Sequence, residues 1–200
     1  MTPTEFIAAR LRQTIGLDPA SLGPSAVALA VHARMKQRGV KRTEDYAVLV
    51  ETSEGEFAEL VEEMVIPETW FFRDRQPFVA LARWAAEEWL PAHPHQTLRA
   101  LSVPCASGEE PYSIVMALLD AGIPADRFVA VGIDISLRSL ARARLALYGK
   151  NSFRGAELGF RDRHFRPTPE GWRLSEEVRR QVHFRQGNLL DPLFAGADAQ

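Results

Sequence analysis

Residues 98–121 read LRALSVPCASGEEPYSIVMALLDA, and this stretch decides the fold. Leu98, Leu101 and Val103 predict a buried β-strand, Ser107-Gly108 a tight loop, and Glu109-Glu110-Pro111 the opening of a helix. A strand that feeds a helix through a small-residue turn is the nucleotide-binding corner of an α/β sheet. The turn holds a single glycine, so it lacks the G-x-G-x-x-G spacing that lets backbone approach a pyrophosphate. Glu109 and Glu110 suit the positive end of the helix dipole but repel a phosphate placed there. The corner therefore suits a ligand with hydroxyls and a positive charge. S-adenosylmethionine (SAM), with its ribose hydroxyls, ammonium and sulfonium, is such a ligand. A nicotinamide dinucleotide, and with it dehydrogenase chemistry, is disfavoured.

Downstream, Phe128–Asp134 (FVAVGID) predicts a second buried strand that ends in an acid. Ser136 caps a helix expected from Leu137 to Tyr148, with Leu140, Ala141, Ala143, Leu145 and Ala146 facing inward. An acid closing the second strand of such a unit commonly accepts hydrogen bonds from the ribose hydroxyls. Asp134 is that candidate, and its plainer role as an acid near a helix start is compatible with it. Pro167, Pro169 and Gly171 mark a turn, and Gly171–Leu174 has strand character, so a hairpin is expected to be inserted around 160–181. Val182–Phe184 reads as a further strand of the main sheet, with Gly187–Leu190 as the loop on its ligand edge. The tail from Asp191 to Gln200 shows no element of its own. Three candidate strands are few for a doubly wound sheet, so either the chain is a fragment or something further completes the sheet.

Upstream the pattern is helical. Phe6, Ile7, Leu11 and Ile15 share a face, with Gly16 as the stop; Pro24-Ser25 open a second helix, Ala26 to Arg38, stopped by Gly39. Thr43-Glu44 start a third helix (Tyr46, Leu49, Val50), and Phe57, Leu60, Val61 and Met64 give a fourth that ends before Pro67. Residues 1–75 are thus expected to be a helical domain with its linker, and 76–200 the α/β domain. Arg34, Lys36, Arg38, Lys41 and Arg42 have no acid among them. They are either a solvated face or a docking patch for an acidic helix. In Glu68–Asp74 (ETWFFRD) three successive aromatics cannot all face one core. Arg73 follows them, and a helix is expected from Pro77 to Leu90.

Composition adds bounds rather than chemistry. Among 200 residues, 46% are hydrophobic and 25% charged, with a net charge of −2, which gives no global pull toward nucleic acid or an anionic membrane. The single cysteine, Cys105, excludes an internal disulfide framework, fits a reducing compartment and reads as a packing residue. No run approaches the roughly 20 apolar residues of a membrane helix, and MTPTEFIAARLRQ has no signal-peptide core, so a soluble cytoplasmic protein is expected. The five histidines show no ligand spacing, and no metal is expected.

Taken together, ETWFFRD (68–74), CASGEEPYS (105–113), GIDIS (132–136) and GNLL (187–190), in that order, resemble the CheR-type chemoreceptor glutamate methyltransferases. The PETWFFRD form is similar to the Wsp-type branch, which serves surface sensing. The resemblance implies a helical N-terminal domain and a Rossmann-like SAM-binding domain carrying an inserted β-subdomain that helps dock receptors. It implies that Thr69, Arg73, Glu110, Asp134, Asn188 and Leu189 contact the methyl donor, with Arg73 nearest the transferred methyl. It assigns the basic stretch Arg34 to Arg42 to the face that meets the receptor's helical bundle. A monomer acting on the cytoplasmic helices of a chemoreceptor is expected, with S-adenosylhomocysteine as product. The sequence departs from the family at Pro67, where an asparagine often stands two places before the motif threonine. It also stops before a strand bearing Asp-x-x-x-C-R-N-x-x-x-Tyr. Catalysis is therefore expected of a longer protein rather than of this piece alone.

The implied reaction needs few catalytic groups. A glutamate carboxylate, with a reference pKa of about 4.3, is already ionised at neutral pH and is a competent nucleophile without a general base. The protein has only to align oxygen, methyl carbon and sulfur and to exclude water. Two other readings stand beside this one. A small-molecule SAM methyltransferase would lack the basic helix and the hairpin. A non-catalytic SAM- or receptor-binding module would bind without turnover.

Overall fold

The computed structural model describes residues 1–17, 25–65 and 68–191. It separates into two compact units, one drawn from residues 1–66 and 188–200, the other from 67–187. Pro24, expected to open the second helix, and Pro67, the departure from the family pattern, lie outside the described residues, as does the tail beyond Asp191.

The first unit contains α1 (Pro3–Ile15), α2 (Ala26–Arg38), α3 (Thr43–Thr52) and α4 (Glu54–Met64). Thr2 and Glu5 close a reciprocal capping box on α1, and Gly16 ends that helix in the left-handed conformation. Ile7, Leu11, Val31, Tyr46, Val50 and Leu60 are buried at its centre. One expectation fails here. Arg34 is only 6% exposed, with Nε and Nη2 each 2.9 Å from the two oxygens of buried Glu56. The Tyr46 hydroxyl donates to the same carboxylate at 2.9 Å. Burial alone would raise the Glu56 carboxyl, but the Arg34 and Tyr46 hydrogen bonds hold it below the usual range. Arg34 is thus a core ion-pair residue and not part of a docking face. Lys36, Arg38, Lys41 and Arg42 remain exposed.

The second unit opens with α5 (Gln76–Trp84), which widens into a π-turn at Ala85–Trp89 and ends as α6 (Leu90–Ala92). Pro91 has no amide to offer the preceding turn and crowds its carbonyl, which accounts for the widening inside the expected helix. Strands β1 (Leu98–Ser102), β2 (Phe128–Asp134) and β6 (Val182–Gln186) form a parallel sheet in the order β1-β2-β6. Ser102 lies opposite Gly132, and Asp134 opposite Gln186, so β2 is the central strand. Helix α7 (Glu109–Asp120) crosses between β1 and β2, and Tyr112, Val115, Met116 and Leu118 are buried along it.

Helix α8 (Leu137–Leu145) is shorter than expected. Ala146 turns left-handed at φ 51°, and Leu147–Tyr148 form β3 instead. Leu140, Ala143 and Ala146 are buried, whereas Ala141 and Leu145 face solvent, Leu145 at 53% exposure. Ending the helix there sends Tyr148 into the core, 4.7 Å from Phe71 centroid to centroid. β3 pairs antiparallel with β5 (Gly171–Leu174), which pairs antiparallel with β4 (Phe165–Thr168) across the expected Pro/Gly turn. Gly171, at φ 146°, leaves no room for a Cβ against the Tyr148 carbonyl. Helices α9 (Gly159–His164) and α10 (Glu176–Arg180) flank this second sheet in sequence. Among the described residues no helix is long and apolar enough to cross a membrane.

Candidate functional site

In an open α/β sheet, ligands meet the carboxyl ends of the parallel strands. Here Ser102 ends β1 and Asp134 ends β2, and each anchors hydrogen bonds at its strand end. Asp134 is 3% exposed; its Oδ2 accepts the Ala106 amide at 2.7 Å and Oδ1 the Ser136 amide at 2.9 Å. Ala106 itself sits at φ 46°. Asp134 thus holds the loop after β1 against the end of β2. The Ser102 hydroxyl donates to Glu110 Oε1 at 2.7 Å, which sets that exposed carboxylate over the strand end. Gly108, at φ 92°, is packed rather than open. A Cβ there would fall 2.9 Å from Ala143 Cβ and 3.0 Å from Phe184 Cζ. The corner's one glycine therefore serves helix packing and not backbone approach to a phosphate. Cys105 is buried with its thiol pushed up to about 12, chiefly by burial, so it stays a protonated packing residue.

Of the two neighbouring acids, Glu109 points inward at 2% exposure. Its oxygens accept the hydroxyls of Ser107 at 2.8 Å and Ser152 at 2.9 Å, while burial raises its pKa. The turn ETWFFRD is fastened to the same helix start. The Phe72 amide donates to Ser113 Oγ at 2.9 Å, Ser113 Oγ donates to the Glu109 carbonyl at 2.6 Å, and the Phe71 amide donates to the Ser152 carbonyl at 2.9 Å. Phe71 packs in the aromatic core and Phe72 against Phe78, leaving Trp70 as the aromatic that packs elsewhere. Arg73 lies over the Trp70 ring at 4.6 Å and donates to the Glu68 carbonyl at 3.2 Å, and among the described residues no acid pairs with it. Phe72 and Asp74, on either side of Arg73, both have φ near 50°, at 54° and 52°. Non-glycine residues take this conformation at a cost that the surrounding hydrogen bonds offset.

Thr69, Arg73, Glu110 and Asp134 thus belong to one compact unit. Asn188 and Leu189 fall in the other unit. There Asn188 Nδ2 donates to the Thr14 carbonyl at 2.5 Å, and Leu189 is exposed. Each Asp134 oxygen accepts one bond, and a carboxylate has about four acceptor positions, so capacity for hydroxyls remains. The carboxylates of Glu110 and Asp134 fit a cationic ligand bearing hydroxyls.

Comparison with known proteins agrees with this chemistry. Residues 67–198 match the CheR methyltransferase, SAM binding domain. The chain belongs to the CheR methyltransferase family. The matched portion is the family's SAM-binding domain, which makes SAM its cofactor. The chain is 50% identical over 187 residues to a probable biofilm formation methyltransferase WspC of Pseudomonas aeruginosa, covering 93% of this chain and 44% of that protein. It is 46% identical over 188 residues to the WspC of Pseudomonas putida, again covering 44% of it. It is 31% identical over 194 residues to chemotaxis protein methyltransferase 1 of P. aeruginosa, covering 90% of this chain and 69% of that protein. The chain therefore spans less than half the length of the WspC relatives. Sequence reasoning missed Ser113, Ser152 and the inward turn of Glu109. Ser113 lies inside a quoted motif, but nothing in CASGEEPYS says which of two adjacent glutamates is buried.

Proposed function

We propose that the intact protein is a SAM-dependent protein-glutamate O-methyltransferase that methylates chemoreceptors for signal adaptation. The observation that carries this reading is the bonded connection between the Arg73 turn and the Glu109-Glu110 helix start, which puts a cationic side chain on the acidic corner's own scaffold. When bound, SAM supplies a methyl group on a positively charged sulfur. Asp134 and Glu110 would hold its hydroxyls and ammonium, and the family resemblance adds Thr69, Asn188 and Leu189 as further donor contacts. Arg73 would orient the incoming carboxylate through charge-assisted hydrogen bonds, loosely enough to leave an oxygen free to attack. No proton has to move, because the carboxylate arrives ionised.

On this reading the helical domain of residues 1–75 serves docking, apart from Thr69 and Arg73 in its linker, and 76–200 donor binding. Lys36, Arg38, Lys41 and Arg42 would meet the acidic cytoplasmic helices of the receptor, and the β3-β5-β4 sheet would be the inserted docking subdomain. Methylation removes one negative charge from a helical bundle and so changes its signalling bias. The test is calorimetric titration with S-adenosylhomocysteine and with NAD, followed by transfer of labelled methyl from SAM to a receptor cytoplasmic fragment. Binding of the homocysteine product alone, with base-labile label on glutamate, is expected. Tight NAD binding, or label elsewhere than on glutamate, would overturn the reading.

A further inference from the structure

Trp70 carries a second guanidinium that the motif reading does not account for. Arg154 Cζ lies 4.4 Å from the centre of the Trp70 ring, matching Arg73 at 4.6 Å. The two arginines come from separate segments, the ETWFFRD turn and the loop after the 3-10 turn Lys150–Ser152. That turn is itself tied to the Phe71 amide and to Glu109 through Ser152. Arg154 donates from Nε to the Asn151 carbonyl at 3.3 Å, and its Nη1 lies 3.5 Å from Glu68 Oε1. Both partners of that ion pair are substantially exposed, at 48% and 66% of their side-chain surface, so solvent screens it. Two cations thus share one indole face-stack beside a single loosely held acid. A guanidinium offers five donors in a planar fork, and most of those on this pair have no close protein acceptor among the described residues.

The geometry points to Arg154 as a specificity-determining residue for an acidic substrate segment. Building on the function proposed above, we infer that Arg154 receives a carboxylate neighbouring the methyl-accepting glutamate on the receptor helix while Arg73 orients the accepting one. Two guanidiniums gripping the accepting carboxylate itself would quench its nucleophilicity, so the second has a different target. Trp70 is the plate that fixes the spacing of the two arginines. Arg154 also exchanges its weak Glu68 contact for the substrate, a swap that costs little because the resting pair is screened.

The experiment uses the intact protein and a receptor cytoplasmic fragment with mapped methylation sites, comparing wild type, Arg154→Ala and Arg154→Lys. The measurements are kcat, KM for the fragment, its Kd in the presence of S-adenosylhomocysteine, and the Kd of S-adenosylhomocysteine itself. For Arg154→Ala, KM and fragment Kd are expected to rise roughly five- to tenfold, with a flatter salt dependence, and kcat to change less than about twofold. Homocysteine-product affinity should hold, and Lys should restore part of the fragment affinity. Replacing the acid beside the methylated glutamate by Gln in the fragment should erase the difference between wild type and Arg154→Ala. Unchanged KM and fragment Kd in an active Arg154→Ala protein would overturn this inference and leave the proposed function intact. So would a loss of homocysteine-product binding that Lys does not rescue, which marks a structural role. A wild-type protein that binds the product yet methylates no receptor fragment overturns the function and this inference together.

Discussion

Asp134 Oδ2 accepts the backbone amide of Ala106 at 2.7 Å, joining the end of the central strand to the loop after the neighbouring one across 28 residues of chain. The same carboxylate takes the Ser136 amide at the start of α8. The residue proposed to meet a ribose is therefore also a brace of the strand ends. Asp134→Ala removes two hydrogen bonds to a charged acceptor, each worth about 1.5–3 kcal/mol. S-adenosylhomocysteine affinity is expected to fall by at least about tenfold with a lowered melting temperature, as read by calorimetry and thermal denaturation. Asp134→Asn should also lose affinity, since its amide nitrogen must face one of the two backbone N–H groups. Wild-type affinity in either variant would remove Asp134 from the donor site.

Glu109 gives a pH signature of its own. Burial raises its folded-state pKa above the unfolded value, so its contribution is fully present below the unfolded pKa and is lost as pH rises through the folded one. Glu109→Gln keeps partners for Ser107 and Ser152 without the charge. Its stability relative to wild type is expected to climb as pH goes from about 4 toward neutrality, in urea melts at several pH values. Glu109→Ala strands both hydroxyls and should cost about 2–3 kcal/mol. A flat difference between Gln and wild type across that range would mean Glu109 is ionised without penalty.

The parallel sheet, the helical first unit and the corner were legible because each rests on local signals: apolar runs, left-handed glycines at helix ends, and the Ser-Gly turn before two acids. What escaped reading depended on distant partners. Arg34 looked like its basic neighbours, and only the fold puts Glu56 and Tyr46 against it. The apolar run through Leu145 continued a helical pattern, yet the aromatic core drew Tyr148 away into a strand. Arg73 and the Glu109-Glu110 pair were visible as motifs. Their connection through Ser113 and Ser152 spans about forty residues and leaves no mark in the spacing.

The Arg34–Glu56 pair separates stability from docking in the first unit. Arg34→Ala leaves the buried Glu56 carboxylate with only the Tyr46 hydroxyl and the half-exposed Arg38 at 3.3 Å, and should destabilise the unit by up to about 3–5 kcal/mol. Glu56 is held below its usual pKa, so its contribution is present above the unfolded value and disappears as pH falls through the folded one. Acid melts of wild type and Glu56→Gln should therefore converge at low pH. Lys36→Glu with Lys41→Glu touches only exposed side chains and should keep the melting temperature while weakening receptor binding in a pull-down of defined fragments. The docking assignment fails if receptor binding survives that charge reversal.

Arg73 tests the chemistry itself. Its guanidinium is exposed, held by one backbone carbonyl and the Trp70 ring, so removing it disturbs little of the fold. If it orients the accepting carboxylate, Arg73→Ala in the intact protein should lower kcat by roughly ten- to a hundredfold while product affinity changes by less than about threefold. Arg73→Lys keeps the charge but not the planar fork, and should recover only part of the rate. Equal losses in kcat and in product affinity would instead assign Arg73 to holding the donor. Unchanged turnover would remove it from the reaction altogether. The Arg73→Ala, Arg154→Ala double variant then separates the two arginines. Independent roles predict that the kcat loss of the first and the KM loss of the second multiply, whereas a shared grip on one carboxylate predicts a combined loss smaller than that product.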